Sequence, residues 1–322
     1  VKRLRVAVIG AGVMGKYHAN IYAALPHVDL VAVIDPLEAR RREVRETFAC
    51  AAYPQLDTLL AANDIDAASI AAPTSLHFHL AQQLLEAGIH VLVEKPVATD
   101  VCQAQRLVAL SRQRGLVLQV GHITRFYQAV QLLNEQVSNP YLIEARRLTP
   151  HARIKDVGVI LDLMIHDIDT VLRIVPGNIS EANVSGRVLN GSPFEDVAAA
   201  QITFENGCIA RFLASRVAPN AERSLVVAEP TQTLKFDFTK DPHTEILIYR
   251  SRDIDEAGYV QMERRLVHED NPLRKELEHF LARIRNRADP IGTLYDDLRS
   301  LKLATWLTDS IATKKMAAPV FV

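Results

Sequence analysis

Lys95 stands between Glu94 and Pro96, directly after the apolar run Val91-Leu92-Val93. Ligands of an open α/β sheet bind beyond the carboxyl ends of its strands, so this ammonium is expected near the reacting end of a bound dinucleotide. Pro96 restricts Lys95 to extended backbone and admits a cis bond, and either fixes where the side chain points. The plainer alternative is a loop salt bridge between Glu94 and Lys95. A second group is Asp162-Leu163-Met164-Ile165-His166-Asp167-Ile168-Asp169. Asp162 and His166 are four apart, and on a helix they share one face. A hydride leaves an alcohol carbon only as the hydroxyl proton is removed, and His titrates near neutrality, so His166 is the expected base. A lone helical His is more often structural. Asp162, His166 and Asp169 are also metal-ligand types, with His77 and His79 as helpers. The separation of Asp162 from Asp169, and the different segment that carries the two other histidines, speak against an ion, and no metal is expected.

The third group is Gly10-Ala11-Gly12-Val13-Met14-Gly15, after the first apolar run and at the start of a helical pattern. Gly10 permits a tight turn, Gly12 lets the backbone approach a pyrophosphate, and Gly15 lets helix and strand pack closely. The free N–H groups at Val13 and Met14 and the positive helix end suit the pyrophosphate. Asp35 closes the second apolar run, where its carboxylate accepts hydrogen bonds from ribose hydroxyls and repels a 2′-phosphate. That favours NAD. Arg40 and Arg41 are placed either to accommodate a phosphate or simply to solvate a helix face.

Elements must position these groups. Residues 1–120 alternate β-branched runs at Val6–Ile9, Leu30–Ile34, Ala67–Ala71, Val91–Val93 and Leu116–Val120 with helical patterns. Such alternation builds a doubly wound parallel sheet covered on both faces. Thr74 is a candidate helix N-cap and Gly88 a left-handed helix end. After Gly121 the rhythm changes. A helix is expected near Phe126–Val137, then strands at Tyr141–Leu148, Gln201–Phe204, Ile209–Phe212, Ser224–Ala228, Leu234–Phe238, Glu245–Tyr249 and Val260–Val267. Asn190-Gly191 and Asn206-Gly207 are hairpin turns by type. Consecutive strands without helices predict an antiparallel sheet, whose open face suits association. Helices near Pro272–Asn286 and Leu294–Thr313 follow. The expected domains are 1–121, binding the dinucleotide, and 122–322, binding substrate and a second copy.

Composition removes other classes. The 322 residues carry 37 Lys plus Arg against 38 Asp plus Glu, a formal net charge of −1 that argues against nucleic acid as a partner. At 48% hydrophobic and 23% charged the chain is too apolar and too neutral for disorder. No run of eighteen apolar residues occurs, so no membrane-spanning helix is expected, and the charged start with its glycine-broken apolar run does not read as a signal peptide. Cys50, Cys102 and Cys208 form no CxxC and read as reduced thiols of a cytoplasmic protein.

Taken together, these motifs resemble the Gfo/Idh/MocA oxidoreductases. The matches are Gly10-x-Gly12-x-x-Gly15 with Asp35, Ala72-Pro73-Thr74 through His77, Gly88 through Pro96, Gly121-His122 with Arg125-Phe126, and Asp162-x-x-x-His166. The resemblance implies an α/β chain: an N-terminal Rossmann domain, then an α/β domain with a large, mostly antiparallel open sheet, assembled as dimers or tetramers. It implies that Ala72, Pro73, Thr74, His77, Glu94 and Lys95 line the cofactor. It further implies that Lys95 contacts the nicotinamide ribose and the reacting hydroxyl, and that Asp162 and His166 bind substrate and move its proton. His122 and Arg125 fall to the substrate side. The stretch 157–169 is most similar to the branch that oxidises the 3-hydroxyl of UDP-N-acetylglucosamine ahead of a transamination in lipid A synthesis. Tyr127-Gln128 departs from the Asn-Pro often seen there, which bears on the shape of the substrate pocket. A diphosphate needs cations, and Arg125, Arg146, Arg153 and Lys155 are the candidates. The rivals are a dehydrogenase of a free sugar or cyclitol and a non-catalytic NAD-binding sensor, although a sensor has no evident need for Lys95, Asp162 and His166 together.

Overall fold

The computed structural model describes residues 2–62, 64–150, 156–189, 191, 193–240, 242–250 and 261–313. Arg153, Lys155 and Asn190 lie outside the described residues, as does the expected start of the last strand at Val260. Packing divides the chain into two compact units, 1–131 with 269–301 and 132–268 with 302–322.

The first unit is built on six parallel strands: β1 (Leu4–Ile9), β2 (Val28–Ile34), β3 (Ala51–Tyr53), β4 (Ala67–Ile70), β5 (His90–Glu94) and β6 (Leu118–Gly121). Their order is β3-β2-β1-β4-β5-β6, the doubly wound arrangement with its topological switch between β1 and β4. Helices α1 (Val13–Ala24), α2 (Glu38–Phe48), α3 (Leu56–Ala62), α4 (His77–Glu86) and α5 (Val101–Arg114) make the crossovers that parallel strands require. β3 has only three residues, too few to show a pattern in sequence. Thr74 opens a short 3₁₀ turn, Thr74–Leu76, with no side-chain cap, and α4 begins after it at His77. Gly88 is left-handed as expected, with φ +81°.

The change of rhythm after Gly121 does not coincide with the boundary of packing. α6 (Gln128–Gln136) straddles that boundary, and the later helix α8 (Pro272–Ile284) returns to the first unit. There Leu277, Phe280 and Leu281 join Val6, Val8 and Leu92 of the sheet and Ala19 and Tyr22 of α1 in one buried cluster. An apolar helix face so far along the chain gives no local sign of the core it completes.

The second unit carries an eight-stranded sheet: β7 (Leu142–Leu148), β8 (Ile179–Arg187), β9 (Val197–Phe204), β10 (Ile209–Ser215), β11 (Glu222–Glu229), β12 (Gln232–Asp237), β13 (His243–Arg250) and β14 (Gln261–His268). Its order is β14-β13-β12-β11-β7-β10-β9-β8, antiparallel throughout except for the parallel pair β7 and β10. Alternating burial, as in β9 and β10, leaves one face covered and one open. Asn206-Gly207 turns β9 into β10, with Gly207 at φ +85°. β8 is an edge strand exposed at most positions, and its polar sequence hid it. The helices of this part are α7 (Ile165–Ile174), which follows a π-helical turn at Ile160–Met164, and α9 (Leu294–Thr313), which continues from the first unit.

Candidate active site

The glycine turn has the geometry that its residue types require. Gly10 sits at φ +97°, and a Cβ on Gly15 would lie 1.7 Å from the Gly10 carbonyl oxygen. Gly12, by contrast, faces open space. It is the N-cap of α1, which has neither a side-chain cap nor an acid in its first turn. The first N–H groups of the helix, from Val13 and Met14 onward, are therefore left for an external anion. A pyrophosphate fits this cradle.

Asp35 ends β2 almost fully buried, at 2% exposure. It accepts from the Ala11 N–H at 2.9 Å and the Leu37 N–H at 2.9 Å, so it ties the glycine turn to the strand end. The Arg40 guanidinium also donates to it at 3.2 Å while remaining half exposed. Arg41 donates instead to the carbonyls of Asp35 and Pro36 and pairs with Glu38. Acid and guanidinium thus stand together at the end of the second strand.

At the end of β5 the Lys95–Pro96 bond is cis. The neighbouring Glu94 carboxylate contacts the Nε2 of buried His18 at 3.0 Å. Burial works to raise the Glu94 pKa, but the hydrogen bond from His18 and the charges of His18, Lys95 and His77 outweigh it and hold the carboxyl below its ordinary range. Glu94 is thus a fixed anion behind Lys95. Glu276, on α8, is the opposite case. It is fully buried, neither carboxylate oxygen has a hydrogen-bond partner among the described residues, and burial with the charge of Glu94 raises its pKa well above the ordinary value. His77 lies between the turn 72–74 and Pro96, with one ring nitrogen against each. Both ring nitrogens of His77 are thus engaged by backbone carbonyls, and exposed His79 packs edge-on against Phe78.

His122 and Arg125 follow β6 and are buried at 2% and 5% exposure. Arg125 donates to Asp297 at 2.6 Å and to the Ile291 carbonyl at 3.2 Å, and His122 lies 3.7 Å from the same Asp297 oxygen. In this state Arg125 is an internal ion pair and not an open cation. Arg146, on the sheet, is half exposed and pairs with Glu222 at 2.8 Å.

In the second unit Asp162 and His166 are both nearly buried, at 8% and 9% exposure. Asp162 lies in the π turn and His166 one residue into α7. In a turn closed i→i+5, a spacing of four falls just short of one full turn, so the pair stays on neighbouring positions although the segment is not simple α-helix. π turns that interrupt helices are frequent at functional sites. Asp169 is also buried, whereas Asp167 is held by Arg147 at 2.7 Å.

The supports of this turn come from a distant segment. Glu195 Oε1 accepts the Ile160 N–H at 3.1 Å, and its backbone carbonyl accepts the Val159 N–H at 3.1 Å. Gly158 makes room for it, since a Cβ there would lie 2.0 Å from the Glu195 carboxylate, and the Gly158 carbonyl accepts the Asp162 N–H at 2.9 Å. Next in sequence, Asp196 pairs with buried Arg216 at 2.6 Å, and Arg216 donates to the Val157 carbonyl at 2.9 Å. Burial raises the Glu195 pKa, against the hydrogen bond from Ile160. The only sequence signals were Glu195-Asp196 before a strand and the glycine at 158.

Comparison with known proteins decides the lineage. Residues 4–122 match the model described as "Oxidoreductase family, NAD-binding Rossmann fold", and residues 130–237 match the "GFO/IDH/MocA C-terminal domain". The chain belongs to the Gfo/Idh/MocA family of oxidoreductases. Among Gfo/Idh/MocA members, the UDP-N-acetylglucosamine 3-dehydrogenase of Acidithiobacillus ferrooxidans is 38% identical over 237 residues, 73% of this chain and 74% of the relative. The solved structure of that enzyme superposes with a TM-score of 0.85 at 32% identity, covering 97% of this chain and 98% of that one. Two more distant structures share the fold. GenD2 from gentamicin A biosynthesis, in complex with NAD, has a TM-score of 0.82 at 21% identity, covering 98% and 96% of the two chains. KijD10, a 3-ketoreductase from Actinomadura kijaniata in complex with NADP, has a TM-score of 0.84 at 21% identity, covering 97% and 98%.

Proposed function

We propose that this oxidoreductase oxidises the 3-hydroxyl of UDP-N-acetylglucosamine to the 3-keto sugar with NAD, supplying a transamination step in lipid A synthesis. The observation that carries the substrate is the 38% identity to a UDP-N-acetylglucosamine 3-dehydrogenase. The chemistry rests on residues present here. Gly10, Gly12, Gly15 and the first N–H groups of α1 hold the pyrophosphate, and Asp35 receives the ribose hydroxyls, with Arg40 shielding its charge. Ala72, Pro73, Thr74 and His77 line the dinucleotide on the β4 side, and Glu94 backs Lys95. When bound, the nicotinamide supplies the hydride acceptor. Lys95 orients and polarises the sugar oxygen, His166 accepts the hydroxyl proton, and Asp162 fixes either His166 or a neighbouring sugar hydroxyl. His122, Arg125, Arg153 and Lys155 are proposed on the substrate side, where Arg125 must leave Asp297 to reach a diphosphate.

No helix among the described residues is long and apolar enough to cross a membrane, and Cys50, Cys102 and Cys208 are free thiols. Both features suit a cytoplasmic enzyme of nucleotide sugars. We place its self-association, as dimer or tetramer, on the open sheet face, where Met262 and Leu266 of β14 are about 60% exposed. Reduction of NAD by UDP-N-acetylglucosamine, with free N-acetylglucosamine and inositols inert, is the expected result. Turnover of the free sugars alone would replace the nucleotide-sugar reading. Tight NAD binding without turnover of any sugar would make the chain a sensor.

A further inference from the structure

His77 is the first residue of α4 and is 1% exposed. Its Nδ1 lies 2.8 Å from the Pro96 carbonyl oxygen and its Nε2 lies 2.9 Å from the Ala72 carbonyl oxygen. A backbone carbonyl only accepts, and a neutral imidazole has a single N–H. A neutral ring would therefore hold one turn and press a bare lone pair against the other oxygen. An imidazolium donates to both. The identity of these acceptors does not depend on how an amide is rotated. His279 differs: its ring also faces two oxygens, Gln119 Oε1 at 3.1 Å and the Asp289 carbonyl at 2.8 Å, but a turn of the Gln119 amide would convert one of them to a donor.

We infer that His77 works as an imidazolium clamp: its two N–H groups bind the 72–74 turn to the Lys95–Pro96 turn, making it a positioning residue for Lys95 and for the dinucleotide. The inference rests on the proposed reading that these two turns line the cofactor. Burial of the ring works against the second proton, while the two carbonyl acceptors and the Glu94 carboxylate work for it. Glu94 is the anion whose carboxylate feels His77 and His18 together, and Lys95 is the opposing cation on the same turn. Glu276 adds its charge to that of Glu94 only when ionised, and burial raises its pKa well above the ordinary carboxyl value. On α4 itself, His79 is exposed and its charge is screened by solvent.

Selective ¹⁵N-histidine labelling of the full chain tests this directly, with His77→Gln used to assign the signal. Two protonated ring nitrogens at neutral pH are expected. Titration upward should remove one proton, and the calorimetric Kd for NAD should weaken roughly tenfold to a hundredfold as one charge-assisted bond is lost. His77→Gln should bind weakly at every pH, lack that alkaline limb, and lose kcat together with NAD affinity. A single protonated nitrogen at neutral pH in the unmodified protein overturns the clamp, whatever the variant does. A flat NAD affinity across the titration overturns its effect on the cofactor. Both readouts are independent of turnover, so a wrong sugar substrate would leave them standing, and a neutral His77 would leave the sugar assignment standing.

Discussion

The glycine turn of the first unit and the π turn of the second are shaped by opposite means. At the first, side chains are absent: Gly12 opens space above free N–H groups, and Gly15 permits the contact with Gly10. At the second, side chains are buried: Glu195 and the Asp196–Arg216 pair grip residues 157–160 ahead of Asp162 and His166. A site made of backbone is specified by neighbours in sequence. A site held by buried acids depends on a partner strand that arrives some 35 residues later.

Replacing His166 by Asn should have the largest effect, lowering kcat by about 10²–10⁴ while leaving the Kd for NAD unchanged, because a proton acceptor is lost without touching the dinucleotide cradle. Turnover close to normal in this variant would remove His166 as the base. The two glycines then offer a matched pair. Gly15→Ala should abolish measurable NAD binding in calorimetry, since its Cβ meets fixed backbone. Gly158→Ala, whose Cβ meets the Glu195 carboxylate, should depress kcat with NAD affinity intact. Equal losses of affinity in both would erase the contrast between the two turns. Glu195→Ala should weaken kcat by roughly tenfold, for an unmet buried N–H at Ile160 costs about 1–3 kcal/mol. Glu195→Gln keeps an oxygen at that place and should recover most of the activity; failure to recover would assign the carboxylate's charge, not its hydrogen bond, to the support of the turn.

The smallest effect concerns stability. The Glu276 pKa is raised in the folded chain by burial and by Glu94. The folded chain therefore keeps a proton that the unfolded chain releases above its ordinary carboxyl range, and stability falls as pH rises from there toward the folded value. Glu276→Gln should raise Tm by about 2–4 °C near pH 8 and change it little near pH 4, with each kcal/mol worth a few degrees in a chain of this size. A Tm gain that is the same at both pH values would show that the proton is not responsible.

Much of the first unit was readable because its signals are local. Gly10, Gly12, Gly15 and Asp35 lie within one strand–helix–strand unit, and the parallel strands are apolar on both faces. The readings that stopped short are those in which a distant segment intervenes. Asp35 was expected to face a ribose, yet it also ties the glycine turn through the Ala11 N–H. Arg125 is by type a candidate for a diphosphate, yet Asp297, far along the chain, pairs with it. β8 stayed hidden because an edge strand exposed on most positions needs no apolar alternation. Glu195 and Gly158 were silent because neither has meaning until the two segments meet.

From residue types and spacing alone came the glycine turn, the acid that ends β2, the turn at Lys95, the placing of Asp162 and His166 about one turn apart, and the succession of a parallel sheet by one built of consecutive strands. Each depends on interactions within a turn or two of chain, or on a periodicity that burial imposes along one strand. Tertiary structure alone decided that α8 completes the core of the first unit, that Glu195 holds the π turn, that Glu276 is buried beside Glu94, and that one ring at His77 bridges two turns. These depend on which charges and donors lose water together, and that is settled only when segments far apart in the chain close over one another.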